Sequence, residues 1–289
     1  TWPTVNDLAA ADEDDILAKW SGLGYYSRAR NLHKAARVIV NEFGGNIPDN
    51  YDDLISLPGV GDYTASAVTA IAFNKQATVL DGNVERVVSR LFEIQEKLPK
   101  GKKHYRERAV QVTHGDHNRY GDFAQAMMDL GSTLCAPKNP KCGQCPVSSM
   151  CGAYASNTQE EYPKKEKKKA IPKKYANAYV MLNEKGQFYM RKRGDKGMLA
   201  GMYEIPTSEW VLKKKDIQDI EFTHIDFTAI KGQVKHVFSH FEFYITAYCS
   251  SVKSNQFNDG VWVDMDNLDT YGVPTVMKKI IYHALKKSA

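Results

Sequence analysis

The sequence predicts two domains of different class, an all-α first half and an α+β second half, joined by a basic linker. Three observations predict this. Apolar residues recur at helical spacing from Asp12 to Gly131, with no strong β-alternation before about Ala155. Seven lysines and one glutamate then fall between Pro163 and Lys174. After Tyr175 the pattern becomes strand-like alternation. The expected division is 1–155, a linker at 156–175, and 176–289, and a chain of 289 residues is long enough for two cores.

The elements follow in order. From Asp12, the residues Ile16, Leu17 and Trp20 share one helical face, and Gly22 and Gly24 interrupt it. A second helix starts near Ser27 and runs through Ala29, Leu32, Ala35, Ala36 and Ile39 to the stop at Gly44 and Gly45, with Pro48 beyond. Further helices fit 51–56, 65–73, 84–91, 105–113 and 123–131. The lysine run, bracketed by Pro163 and Pro172, reads as a solvated linker that can also track phosphates. Strands are expected over 178–182, 187–191, 237–250 and 261–263. The last stretch, 276–286, reads as a helix with Ile280, Ile281 and Ala284 on one face.

Lysine and arginine exceed aspartate and glutamate by 39 to 34, a net charge of +5. This mild basicity permits a polyanionic partner without requiring one. No apolar run reaches the roughly 18 residues of a membrane span, and no signal peptide is visible, so no membrane partner is expected. The chain opens on Thr1, which reads as a fragment, a trimmed chain or an unresolved beginning.

Cys135, Cys142, Cys145 and Cys151 form C-x6-C-x2-C-x5-C. Four thiolates so close together can wrap one tetrahedral centre, and both zinc and iron–sulfur accept four cysteines. Zinc ribbons usually hold two C-x2-C pairs far apart, unlike this spacing; two disulfides or free thiols are the remaining readings. A reducing compartment follows from this usage. Cys249 stands apart in an expected strand and reads as a small buried hydrophobe.

Leu57-Pro58-Gly59-Val60-Gly61 lies between two expected helices. Its glycines allow a tight turn and close approach to a phosphate, and the next helix offers free N–H groups. On these residues alone it is equally an interhelical turn. Asp81, ahead of Gly82 and Asn83, has the position of a helix N-cap.

Together these features resemble the helix-hairpin-helix DNA glycosylases of the endonuclease III superfamily, and specifically the MutY-type adenine DNA glycosylases. The cysteine spacing resembles their 4Fe–4S loop, Leu57 to Asp81 their hairpin and catalytic aspartate, and Gly22 to Leu32 their adenine-specific loop. Val237-Phe238-Ser239-His240-Phe241 resembles their Phe-Ser-His loop, and Met198 to Pro206 resembles the Nudix segment ahead of its catalytic helix. The acidic Nudix helix itself is absent from the sequence, so no Mg²⁺ site for pyrophosphate hydrolysis is expected.

The resemblance implies an all-α helix-hairpin-helix core with a 4Fe–4S loop and an α+β Nudix-like domain, and roles for particular residues. Asp81 stabilises positive charge at C1′ of the target nucleotide, with Asn83 and Tyr63 beside it. Bifunctional relatives carry a lysine where Tyr63 stands, so a monofunctional enzyme is expected. Gly59, Val60, Gly61, Leu23, Tyr25, Arg28 and Arg30 contact DNA, with Leu23 or Tyr25 wedging into the base stack. Phe238, Ser239 and His240 read 8-oxoguanine, since a serine hydroxyl accepts from the N7–H that guanine lacks. The implied partner is duplex DNA bearing an A:8-oxoguanine pair, bound by a monomer at the nucleoid of a bacterial cytoplasm. The family's proton-donating glutamate lies upstream of the position matching Thr1, and Glu42, Asp62 and Glu85 do not match its motif. A catalytically silent binder of lesion DNA is therefore the alternative. An endonuclease III-like pyrimidine glycosylase is opposed by Tyr63 and by the second domain.

Overall fold

The computed structural model describes all residues except 114, 116–117, 168–169, 219–221, 258 and 289, together with the side chains of 287 and 288. Lys168 and Lys169 of the expected linker lie outside the described residues. Along the chain run α1 (Val5–Ala10), α2 (Glu13–Lys19), α3 (Ser27–Phe43), α4 (Tyr51–Ser56), α5 (Asp62–Ala67), α6 (Gly82–Leu91), α7 (Lys102–Thr113), α8 (Tyr120–Asp129) and α9 (Gly152–Ala155). There follow β1 (Lys173–Leu182), β2 (Phe188–Lys192), β3 (Tyr203–Glu204), β4 (Thr228–Ala229), β5 (Val234–Val237), β6 (Glu242–Ser251), β7 (Val261–Val263) and α10 (Thr275–Ser288). The class change predicted from periodicity is present: helices first, then a mixed sheet.

Local chemistry explains the helix starts. Thr4 and Asp7 form a capping box on α1, and Asp12 caps α2 by accepting from the Asp14 N–H at 2.8 Å. Asp81 caps α6, whose Val84, Val87 and Val88 are buried. Two expected helices end in single π-helical turns, Val68–Ala72 after α5 and Leu130–Leu134 after α8. Sequence periodicity near 3.6 does not signal one wide turn.

The chain divides into two compact units, Thr1–Arg37 with Lys169–Ala289, and Val38–Lys168. Residues 1–37, expected with the helical half, bury Ile16, Leu17, Tyr26 and Ala29 in the core that holds Leu199, Met202 and Val273. An apolar stripe records that a face is buried but not which partner buries it. Within this unit, Ser21 Oγ donates to the Val273 carbonyl at 2.9 Å, and Lys192 pairs with Asp14 at 2.6 Å.

The sheet of this unit runs β3-β2-β1-β6-β4, with β5 also on β6 and β7 also on β2. Its centre is the parallel pair β1 and β6, in register from Lys173↔Glu242 to Leu182↔Ser251. Against it α10 packs Val276, Met277, Ile280, Ile281 and Ala284, each at most 1% exposed. β1 begins within the stretch expected as linker. The strand expected over 237–250 is two, because the chain reverses at 238–241, where Phe238 N–H donates to the Phe241 carbonyl at 2.9 Å. That reversal uses neither glycine nor proline, so no turn signal announces it.

The other unit packs α6 against α7 through Leu80, Val84, Val88, Tyr105 and Ala109. A second cluster joins Ala70, Val79 and Ala124. Among the described residues no helix is long and apolar enough to cross a membrane.

Candidate functional site

The hairpin of the Val38–Lys168 unit is built by Gly59, which takes φ +78°, and by Val60 N–H donating to the Leu57 carbonyl at 3.1 Å. Gly61 caps α5 without a side chain, leaving that helix end's N–H groups without a side-chain acceptor from the cap. Asp62, first in α5, is fixed by Tyr51 Oη at 2.8 Å and by the Arg106 guanidinium. The hydrogen bond to Asp62, followed by burial, raises the Tyr51 pKa. Tyr63 remains exposed, its hydroxyl 3.8 Å from Met128 Sδ.

Asp81 is held more tightly. Its Oδ1 accepts from the N–H groups of Asn83 at 2.9 Å and Val84 at 2.7 Å, and its Oδ2 from Asn83 Nδ2 at 3.0 Å. Asn83 Oδ1 in turn accepts from Arg86 Nη2 at 2.9 Å. The same guanidinium donates to the Gly131 carbonyl and, through Nε, to the Cys135 carbonyl at 2.6 Å. Burial lowers the Arg86 pKa, and the Cys135 thiol opposes that. Gly131 lies so close that a Cβ there would sit 2.6 Å from Asn83 Cβ and 3.0 Å from its backbone. Close by along α6, burial pushes the Glu85 carboxyl up, opposed by Lys102 and then aided by Asp81.

One turn on, Arg90 is 1% exposed and donates to Cys135 Sγ at 3.2 Å and to the Ala136 carbonyl at 2.8 Å. Cys135, Cys142, Cys145 and Cys151 line one small cavity with Arg90 and Gln159, and all four thiols are free. Burial, then the neighbouring Cys135, pushes the Cys142 thiol up. Among the described residues no three His, Cys, Asp or Glu side chains gather tightly enough to hold a single metal ion. The four cysteines are spread around that one shared cavity. Sequence reasoning missed Arg86 and Arg90. The available signal was their i, i+4 spacing on the valine-bearing helix that Asp81 starts.

In the other unit a pocket of about 530 Å³ brings Tyr25, Ser27 and Arg30 together with Phe238, Ser239 and His240. Those two segments are distant in sequence. Phe238 is anchored by Phe241 at 4.7 Å and His236 at 4.5 Å between ring centroids, which leaves Ser239 and His240 exposed at the reversal. Leu23 and Tyr25 are 70% and 63% exposed, and Tyr25 takes φ +47°. Arg28 stacks over the Tyr25 ring at 4.9 Å. Arg30 donates to the Ala200 carbonyl, so its guanidinium braces the loop that carries Met198 and Leu199. A second cleft near Arg193 and Trp210 contains none of the catalytic, DNA-contacting or lesion-reading residues expected from sequence. There Glu204, 4% exposed, engages both Arg191 and Arg193.

Residues 1–113 match the HhH-GPD superfamily base excision DNA repair protein family, and residues 177–283 match the NUDIX domain family. An adenine DNA glycosylase of Buchnera aphidicola subsp. Schizaphis graminum is 33% identical over 97% of this chain and 82% of its own length. The chain belongs to the adenine DNA glycosylase family. The human adenine DNA glycosylase is 31% identical over 96% of this chain, which spans 62% of that longer protein. A solved structure of a thermostable thymine-DNA glycosylase shares 35% identity over 53% of this chain and 70% of its own, with a TM-score of 0.47. In this adenine DNA glycosylase family member, the hairpin, Asp81 and the cysteine cavity fall within one compact unit, and the Phe-Ser-His loop falls in the other.

Proposed function

We propose that this chain is a monofunctional glycosylase that removes adenine paired with 8-oxoguanine in duplex DNA. The observation that carries the reading is the Asp81 carboxylate, held in one orientation by three hydrogen bonds at the head of α6. A carboxylate so fixed is preorganised to face positive charge as it develops at C1′ of an extruded nucleotide. Asn83 orients Asp81, and Tyr63 supplies an exposed phenol but no amine, so no Schiff base forms there. Gly59 and Gly61 present backbone N–H groups to a phosphate, while the Val60 N–H closes the turn onto the Leu57 carbonyl. Proton delivery to the leaving base is assigned to no residue of this chain. The protein acts as a monomer at the bacterial nucleoid. Single-turnover release of adenine from an A:8-oxoguanine duplex tests the reading, and release of a pyrimidine instead would overturn it. Binding of that duplex without any base release would favour the silent binder.

Tyr25, Arg28 and Leu23 meet the duplex, and Ser239, with Phe238 and His240, inspects the base opposite adenine. Ser239→Ala removes the acceptor for the lesion's N7–H. The expected result is a loss of about 1–3 kcal/mol of preference for 8-oxoguanine over guanine. Paired titrations of the two duplexes measure it, and an unchanged ratio would remove Ser239 from recognition.

Cys135, Cys142, Cys145 and Cys151 fit a 4Fe–4S cluster: four free thiols share a cavity, and the buried Arg90 guanidinium at Cys135 offsets thiolate charge. When bound, the cluster would supply a rigid cross-link for the loop. Iron and sulfide analysis is expected to give four iron atoms per chain. Chelation of that iron is expected to loosen the loop that Arg86 and Arg90 hold, seen as increased amide exchange. Stoichiometric zinc without iron would overturn the assignment.

A further inference from the structure

We propose that exposed lysines on two apposed segments, residues 97–103 and 164–167, form a second phosphodiester-binding surface that carries duplex beyond the lesion. This extends the DNA-binding reading above and rests on it. The segments are distant in sequence but joined as a parallel bridge. Leu98 N–H donates to the Lys164 carbonyl at 2.9 Å, and Glu166 N–H donates to the Leu98 carbonyl at 3.0 Å. Side chains lock the same contact. Gln95 Nε2 donates to Tyr162 Oη at 2.6 Å, and Lys164 Nζ donates to Gln95 Oε1 at 2.5 Å. The first part of the lysine run is thus docked on the helical unit rather than trailing from it.

The docking sets the segment that carries Lys97, Lys100, Lys102 and Lys103 against the one that carries Lys165 and Lys167, and all six lysines are exposed. Acids do not neutralise the group. Glu166 pairs with Lys100 at 3.0 Å, and Glu107 reaches Lys103 at 4.0 Å and His104 at 3.5 Å. Glu96 is exposed nearby, and half-buried Glu85 feels Lys102 and Lys165. Among the described residues, Lys97, Lys102, Lys165 and Lys167 have no ion-pair partner within 4.0 Å. Clustering free cations gains the fold nothing; their mutual repulsion costs stability unless a polyanion offsets it.

The surface is also continuous with the hairpin. Arg106 of α7 grips Asp62, the residue that follows Gly61. Lys102 and Lys103 precede Arg106 by four and three residues, so they share its helix face and lead from the hairpin towards the bridge. A regular array of phosphates fits such a line of cations, because duplex DNA carries a charge about every 1.7 Å along its axis.

The test compares the full chain with a variant carrying Lys97→Gln, Lys102→Gln, Lys165→Gln and Lys167→Gln. Each is titrated with undamaged duplexes of about 30 and about 12 base pairs over a range of salt. On the long duplex the variant is expected to bind at least about tenfold more weakly, with a salt slope reduced by about 3–4. On the short duplex both are expected to bind alike, and the four corresponding Lys→Arg changes are expected to retain the parent slope. Independently of any variant, the long duplex but not the short one is expected to protect Lys97 and Lys165 of the parent chain from acetylation. An unchanged slope on the long duplex, an equal fall on both lengths, or no protection would overturn the second surface while leaving the hairpin reading intact. A parent chain that binds neither duplex would overturn both.

Discussion

Asp81→Asn is expected to lower single-turnover adenine release by about a thousandfold or more while the protein stays folded and still binds lesion duplex. Asparagine is as good an N-cap as aspartate, so α6 keeps its start and stability changes by no more than about 1 kcal/mol. Its carbonyl can still accept from the Val84 N–H, now 2.7 Å from Asp81 Oδ1. What disappears is the negative charge that the proposed reaction sets against C1′ when the glycosidic bond is nearly broken. Asn83 Nδ2 donates to Asp81 Oδ2, and in the variant it meets an amide NH2 there, so this one hydrogen bond is lost and the two groups move apart. That adjustment is local, and Arg86 holds Asn83 Oδ1 from the other side. Rapid-quench measurement at saturating enzyme isolates the chemical step. A loss below about tenfold would move the charge-stabilising role elsewhere.

Much of this site was legible in the sequence because its chemistry uses short spacings. The cysteines, the two-glycine hairpin and the Asp81-Gly82-Asn83 start of α6 each lie within one local element. Local rules set cap and turn geometry, so the pattern and the structure coincide there. The roles of Arg86 and Arg90 do not follow from their i, i+4 spacing alone, for the opposite reason. A buried arginine looks like any helix-surface arginine until its acceptors, here carbonyls from 131 to 136, are known. The same limit explains residues 1–37. Ile16 and Leu17 announced a buried face, but its partners, among them Leu199 and Met202, are far along the chain. The reversal at 238–241 was hidden because aromatic anchoring of Phe238, not a glycine, fixes it.

Gly131→Ala should separate positioning from fold in the Asp81 constellation. The added methyl would lie 2.6 Å from Asn83 Cβ and 3.0 Å from Asn83 backbone, so something must shift. Asn83 is the second residue of α6, and the Asp81 carboxylate hangs on its N–H and side-chain amide. Moving it therefore moves the carboxylate. The opposite side offers little relief, since the Gly131 carbonyl is gripped by Arg86, which also holds the Cys135 carbonyl. A displacement near 1 Å at a reacting group costs on the order of a hundredfold in rate. Single-turnover release is expected to fall by about that factor, with iron content and binding of undamaged duplex unchanged. A parallel Gly143→Ala change, which meets nothing within 4 Å, should leave the rate at the parent value. If the two variants behaved alike, the contact between the π-helical turn and Asn83 would have no part in holding Asp81. If Gly131→Ala instead lost its iron together with its activity, the strain would have passed through Arg86 into the cysteine loop, and Asn83 would be the stiffer side of the contact.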